Sequence, residues 1–281
     1  MRIIIIIMLV VCFASCQKEL SVENGRNDVV GLLRRAEAVT NGDTLTTLYF
    51  YDNLSRLETV VTDGISGGEA YHAYQNFTRD FTSRITIVKQ QITQSGYAYD
   101  TVRTSIHYPD PVGLEYDYSV TTTNYFGSLY IDSTAYSFTG TKMMSNETFT
   151  TIPDLFIEAA LTERNEFVYD STGNVQSRDL YSSVSSPDGS ILFTTTFKYT
   201  YGDEQDYLWY SVTPSQNYWL VGIPNSLNKN LKQLDVIDQT GLGGSVSVLT
   251  NLTIGAGNKP VSGEVIVRPN NQKTSYTFYY Q

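Results

Sequence analysis

The chain has 281 residues, with 19 Lys and Arg against 29 Asp and Glu for a formal net charge of −10, and it is rich in Tyr (22) and Phe (12). Such a field excludes nucleic acid and anionic lipid headgroups as charge-driven partners. With only 8 Pro and 20 Gly the chain is no disordered stalk, and its aromatic and β-branched side chains suit the pleated, half-buried surface of strands.

The N-terminus opens with one charge, Arg2, and then runs from Ile3 to Ala14 without a charged or strongly polar side chain. A spanning helix needs about 20 apolar residues. This run is shorter and is closed at once by Ser15-Cys16-Gln17-Lys18-Glu19, so it reads as a signal peptide over residues 1–15. Its end, Phe13-Ala14-Ser15-Cys16, resembles the lipobox of bacterial lipoproteins, with Phe13 in place of the usual Leu. The resemblance implies acylation of Cys16 and attachment to a membrane through that residue alone. Cys12 is the only other cysteine and lies in the removed segment, so the mature protein has no internal disulfide. Loss of Arg2 leaves 18 basic against 29 acidic residues, a mature charge of −11. Gln17-Lys18-Glu19 resembles the short signal that sends Bacteroidetes-type lipoproteins to the outer face of the outer membrane, or else merely opens a solvated tether.

Residues 16–43 are read as that tether. Within it Val29, Val30, Leu32, Leu33 and Ala36 have the spacing of one short helix. From Thr44 onward strand and turn alternate. Leu45–Asp52 predicts a strand, Asn53–Ser55 a turn and Leu57–Thr62 the return. A second turn is expected at Phe81–Ser83, a third at Ser171–Gly173 and a fourth at Pro187–Gly189.

The first three turns share a pattern. Asp52-x-x-Ser55-Arg56-Leu57-x-x-Val60 matches Asp80-x-x-Ser83-Arg84-Ile85-x-x-Val88, and Tyr169-Asp170 through Gly173-Asn174-Val175 repeats it loosely. Tyr51-Asp52-Asn53-Leu54-Ser55-Arg56-Leu57 resembles the YD repeat of RHS-type proteins, with Ser55 in the Gly position. Such degenerate repeats behind a lipobox are similar to those of Bacteroidetes-type lipoproteins of unknown function. The resemblance implies stacked hairpins, and no activity.

Further strands are expected in Leu155–Asp170, whose Leu155–Leu161 part also suits a short helix, and in Ile191–Tyr201, Leu234–Asp238, Ser245–Ile254, Glu264–Arg268 and Thr274–Gln281. Tyr207–Lys232 is the least strand-like stretch. It holds both tryptophans beside tyrosines, Trp209-Tyr210 and Tyr218-Trp219, and these four are the candidate glycan-binding residues.

No nucleotide, metalloprotease or serine-hydrolase motif is present, and no catalytic, metal or cofactor site is assigned. His72 and His107, the two histidines, read as strand residues. Glu115 with Asp117, and the turn Asp203, Glu204 and Asp206, are the carboxylates on which glycoside cleavage would have to rest. Asp43-Thr44-Leu45, Asp100-Thr101-Val102, Asp132-Ser133-Thr134 and Asp170-Ser171-Thr172 resemble Asp-Ser/Thr-apolar O-glycosylation sites of Bacteroidetes-type exported proteins.

The expected architecture is mainly β: one antiparallel meander of stacked hairpins over residues 44–281, curled into a half-barrel or closed, with the short N-terminal helix ahead of it. The expected function is that of an outer-membrane lipoprotein on the cell-surface or periplasmic side, a non-enzymatic binding or structural protein contacting a glycan or another envelope protein. A carboxylate-based polysaccharide hydrolase is the alternative.

Overall fold

A computed structural model describes residues 32–94, 97–98, 101–113, 115–125, 127–140, 142–171, 173–183, 190–205, 229–240, 245–256 and 259–280, with backbone alone at 97–98, 203–205 and 229–231. The strands are β1 (Leu33–Thr40), β2 (Asp43–Tyr51), β3 (Leu57–Ser66), β4 (Glu69–Arg79), β5 (Ile85–Gln94), β6 (Tyr97–Ala98), β7 (Val102–His107), β8 (Tyr118–Tyr125) and β9 (Ser128–Thr139). They continue as β10 (Lys142–Ile152), β11 (Ile157–Tyr169), β12 (Val175–Ser182), β13 (Leu192–Gln205), β14 (Lys229–Asp238), β15 (Val246–Ile254), β16 (Pro260–Arg268) and β17 (Gln272–Tyr280). Each pairs antiparallel with its neighbour in sequence, and β17 returns to β1, with Leu33 opposite Tyr280 and Thr40 opposite Thr274. The two-residue β6 only extends the β5 edge, which pairs directly with β7. The other sixteen strands form a closed antiparallel barrel.

Of the two forms left open by the sequence, the closed sheet is the one adopted. The N-terminal helix is not: Leu33–Thr40 is β1, and the barrel begins ahead of Thr44. A bulge at Arg34 explains the misleading spacing, because it places Leu33 and Ala36, three residues apart, on the same face of the strand. Val29 and Val30 lie outside the described residues. The helical option for Leu155–Leu161 shrinks to one 3-10 turn, Pro153–Leu155, before β11.

Opposed residues of paired strands share a face, and faces alternate along each strand. One face carries Leu33, Ala36, Tyr49, Leu57, Phe77, Ile85, Ile106, Met143, Phe167, Val175, Tyr199 and Phe278, which pack into a single buried cluster. Strands from all round the ring contribute to it, so this face lines the lumen.

The chain alternates between the two ends. The starts of β1, β3, β5, β8, β10, β12, β14 and β16 share one end with the terminus of β17. That end carries the repeated Asp turns. Asp52 accepts from Leu54 N, Arg56 N (both 2.9 Å) and Arg56 Nε (2.6 Å). Asp80 does the same for Thr82 N (2.9 Å), Arg84 N (3.1 Å) and Arg84 Nε (2.7 Å). Asp170 accepts from Asn174 N at 2.9 Å. Each carboxylate thus closes its turn through its own side chain.

The third residue after each Asp adopts positive φ: Ser55 (60°), Ser83 (73°) and Gly173 (88°). A bulge follows every turn, so Leu57 and Val60, Ile85 and Val88, and Val175 and Arg178 all face the lumen three residues apart. Serine is strained at positive φ and glycine is not. Ser55→Gly is expected to raise stability by up to ~1 kcal/mol, read as a higher urea midpoint at unchanged slope. A fall in midpoint would show that the serine hydroxyl outweighs the strain.

Neighbouring turns are tied together. Tyr51 OH donates to Leu33 O (2.7 Å), Tyr108 OH to Ile85 O (2.8 Å) and Tyr169 OH to Met143 O (2.6 Å). Where the second turn has Arg79 in place of the tyrosine, its Nη2 reaches Leu57 O at 2.8 Å. Arg56 Nη1 donates to Ser83 Oγ (2.6 Å), and Arg84 Nη1 to Asp110 O and Gly113 O (2.7 and 2.8 Å).

Candidate functional site

Sixteen strands about 4.8 Å apart and tilted about 40° give a ring of ~100 Å circumference, too wide for one layer of side chains to fill throughout. The end with the Asp turns is nonetheless the more densely filled of the two among the described residues. Tyr51, Tyr108, Phe138, Tyr169, Tyr201 and Tyr280 pack there against the buried cluster. Tyr116 meets Tyr108, Tyr136 and Phe138 edge-on, with ring centroids 4.7–6.1 Å apart. Burial in this layer pushes the Tyr108 and Tyr136 hydroxyls up to about 12.

Above this floor the lumen wall is hydroxylic over much of the ring, while β14–β16 present Val236, Val246, Val248, Val265 and Val267. Threonines opposed across strands bond in pairs: Thr47 to Thr62 (2.9 Å), Thr104 to Thr121 (2.8 Å), Thr134 to Thr148 (2.9 Å) and Thr40 to Thr274 (2.6 Å). Thr150 bonds both Thr162 (2.9 Å) and Asp132 (2.6 Å). Among the described residues this half carries fewer large side chains, Tyr71, Ile92, Tyr125 and Tyr130 among them, and Gln90, on the lumen face of β5, is exposed.

Charge is unevenly placed within the vessel. The floor holds Arg79, which burial first and then Arg56 push down to about 10, and Lys259, whose ammonium stands 4.7 Å over the Tyr280 ring. Arg178, on the lumen face of β12, stacks 3.8 Å over Phe197. Its Nε is buried and has no hydrogen-bond partner among the described residues, as are Tyr199 OH and Asn165 Oδ1 on the two flanking strands. Asn165 is only 4% exposed, with its amide nitrogen bonded to Asn146 and Glu163. Such unmet groups each cost about 1–3 kcal/mol, which a bound hydroxyl or carboxylate could recover. Toward the open end the lumen face carries Asp132, Glu163 and Asp238 instead.

The outer wall mixes exposed apolar residues, among them Val39, Phe50, Ile65, Tyr74 and Val168, with charged ones. Glu37, Lys89, Glu147, Asp179, Lys198 and Glu264 lie near the middle of their strands on the outward face, with Arg103, Arg164, Glu166 and Asp235 nearby. Several are paired: Arg35 to Glu37 (2.7 Å), Arg164 to Glu166 (3.3 Å) and Lys273 to Glu264. Both histidines are here, His72 on Asp63 (2.5 Å) and His107 on Asp117 (2.7 Å).

The candidate glycan-binding residues Trp209, Tyr210, Tyr218 and Trp219 lie outside the described residues, as do Cys16, the turn at Pro187–Gly189 and the side chains of Asp203, Glu204 and Asp206. Glu115 and Asp117 are not a facing pair: Glu115 is exposed in the β7–β8 connection and Asp117 binds His107 on the outer wall. Sequence reasoning missed Asn165, Arg178 and Tyr199, of which Arg178 could have been noticed as the residue three after Val175.

No family model and no curated protein matches the chain. Among solved structures it is similar to a porin-like protein from Bacteroides uniformis ATCC 8492, 12% identical, with a TM-score of 0.50 over 89% of this chain and 96% of that one. A porin-like protein from Bacteroides vulgatus ATCC 8482 is 11% identical, with a TM-score of 0.42 over 90% and 99%. At such identity the likeness to the former is one of fold.

Proposed function

We propose that the chain is an envelope lipoprotein, held at the outer membrane by acyl chains on Cys16, whose barrel stands in water as a non-enzymatic binding vessel. The outer wall carries this reading. A lipid-spanning barrel needs an outward apolar band ~25 Å tall, and each Lys or Arg at its midplane costs ~2–4 kcal/mol. Lys89, Arg103, Arg164 and Lys198 together would cost on the order of 10 kcal/mol, as much as a typical domain's entire stability. The likeness to the Bacteroides uniformis protein supports an envelope setting, and Gln17-Lys18-Glu19 supports the cell-surface side.

The vessel's contents are proposed to be hydroxyl-rich. Paired threonines, aromatic rings and the unmet groups of Asn165, Arg178 and Tyr199 suit a glycan in the lumen, while Trp209, Tyr210, Tyr218 and Trp219, in the β13–β14 connection that departs from the end with the Asp turns, are proposed as a separate glycan-stacking surface outside it. The hydrolase alternative has lost its Glu115–Asp117 pair.

On detergent phase separation the wild-type protein is expected in the detergent phase and Cys16→Ser in the aqueous phase. Neither should produce conductance steps in a planar bilayer. Discrete steps from the Cys16→Ser chain would overturn the water-standing barrel.

A further inference from the structure

Three large apolar side chains stand out at the filled end of the barrel. Leu54, Phe81 and Val112 are 63%, 90% and 73% exposed, and each occupies the tip of its hairpin or loop. The tips are consecutive around the rim, joined by the Arg56 bond to Ser83 and the Arg84 bonds to Asp110 and Gly113. The row begins where the chain enters the barrel, because Tyr51 of the first hairpin binds the carbonyl of Leu33. The segment that leads back to Cys16 therefore leaves beside Leu54. Seventeen residues span at most ~60 Å, and their attachment point lies on the same end as the three tips.

We infer that Leu54, Phe81 and Val112 form a docking edge that rests in the surface of the lipid bilayer, so that the filled end faces the membrane and the open mouth faces away. The inference rests on the lipid anchor proposed above. An apolar row serves membrane contact when its neighbours do not oppose it, and here Arg56 and Arg84 are already neutralised by Asp52 and Asp80. The uncompensated acids nearby, Asp110 and Glu115, together with the mature charge of −11, favour a zwitterionic surface over an anionic one. At the mouth, the hairpin tip of Leu155 and Phe156 provides an internal control: Phe156 is 93% exposed and lies at the opposite end.

The lipidated full chain would be bound to phosphatidylcholine vesicles with and without brominated acyl chains, and the emission added by Phe81→Trp or Phe156→Trp read above the Trp209 and Trp219 background. Both sites are solvent-exposed, so neither change should disturb folding. Phe81→Trp is expected to lose most of its added emission in brominated vesicles, and Phe156→Trp to keep it. Equal quenching of the two, or none at Phe81→Trp in a chain that floats with the vesicles, overturns the docking edge alone. A chain that does not float with the vesicles overturns the anchor and the docking edge together.

Discussion

Removal of residues 274–281 is expected to abolish the folded protein. These residues are the bulk of β17, which joins β16 to β1 and closes the ring. Its lumen face carries Tyr276, Phe278 and Tyr280, all in or against the buried cluster, with Tyr276 stacked on Phe278 at 6.2 Å. Burying each contributes ~1.5–3 kcal/mol, so their loss approaches a typical total stability of ~5–15 kcal/mol. The outward side adds Tyr279 OH to Glu37 at 2.9 Å. Truncation would also open two long edges rich in strand-forming residues, which invite pairing between molecules. Expression should give aggregated or degraded protein. A soluble, cooperatively melting truncated chain would show that the barrel can stay stable while open.

Asp80→Ala should be the most damaging single change among the turn residues. The carboxylate is 17% and its partner guanidinium 9% exposed, and alanine would strand Arg84 between Asp110 O, Gly113 O and the Tyr108 ring. Breaking such a pair from one side costs about 3 kcal/mol or more, and for a domain of this size that is a fall of about 6–12 °C in Tm.

The pH dependence has a definite sign. Burial pushes the Asp80 carboxyl up, but hydrogen bonds from Thr82 and Arg84 outweigh it and hold the group below its ordinary value of 3.8. A depressed folded-state value means the stabilisation is fully present above the unfolded value and is lost as pH falls through the folded one. The gap between wild type and Asp80→Ala should therefore be constant from neutral pH down to about 4 and shrink below it. A gap that persists unchanged into stronger acid would mean the damage is due to turn geometry alone. Asp52, depressed in the same way by its bonds from Arg56 and Leu54, should behave alike.

The last strand was legible because nothing interrupts its alternation: Tyr276, Phe278 and Tyr280 on one face, Ser275, Thr277 and Tyr279 on the other. The Asp turns were legible because their geometry is local, set by a carboxylate reaching its own next few amides. The first strand was not, since the bulge at Arg34 turns a period of two into a step of three, which a helix shares. Closure was undecided because it depends on Leu33 meeting Tyr280, a contact between chain ends that no local pattern encodes. The lumen groups were hidden for a related reason. Asn165, Arg178 and Tyr199 are unremarkable in their own strands, and only the register of the three strands places them on one face.

The burial of an apolar cluster on the lumen face bears on how the barrel can be made. A barrel destined for hydrocarbon exposes its apolar side chains outward, so in water it must be shielded until a bilayer receives it. Here the buried apolar cluster lies on the lumen face, and the outward face mixes charged residues with exposed apolar ones such as Val39, Phe50, Ile65, Tyr74 and Val168, so burial of that cluster already favours closing the ring in water. On the function proposed above, such a chain would complete its hydrogen-bonded ladder in an aqueous compartment before it meets a bilayer.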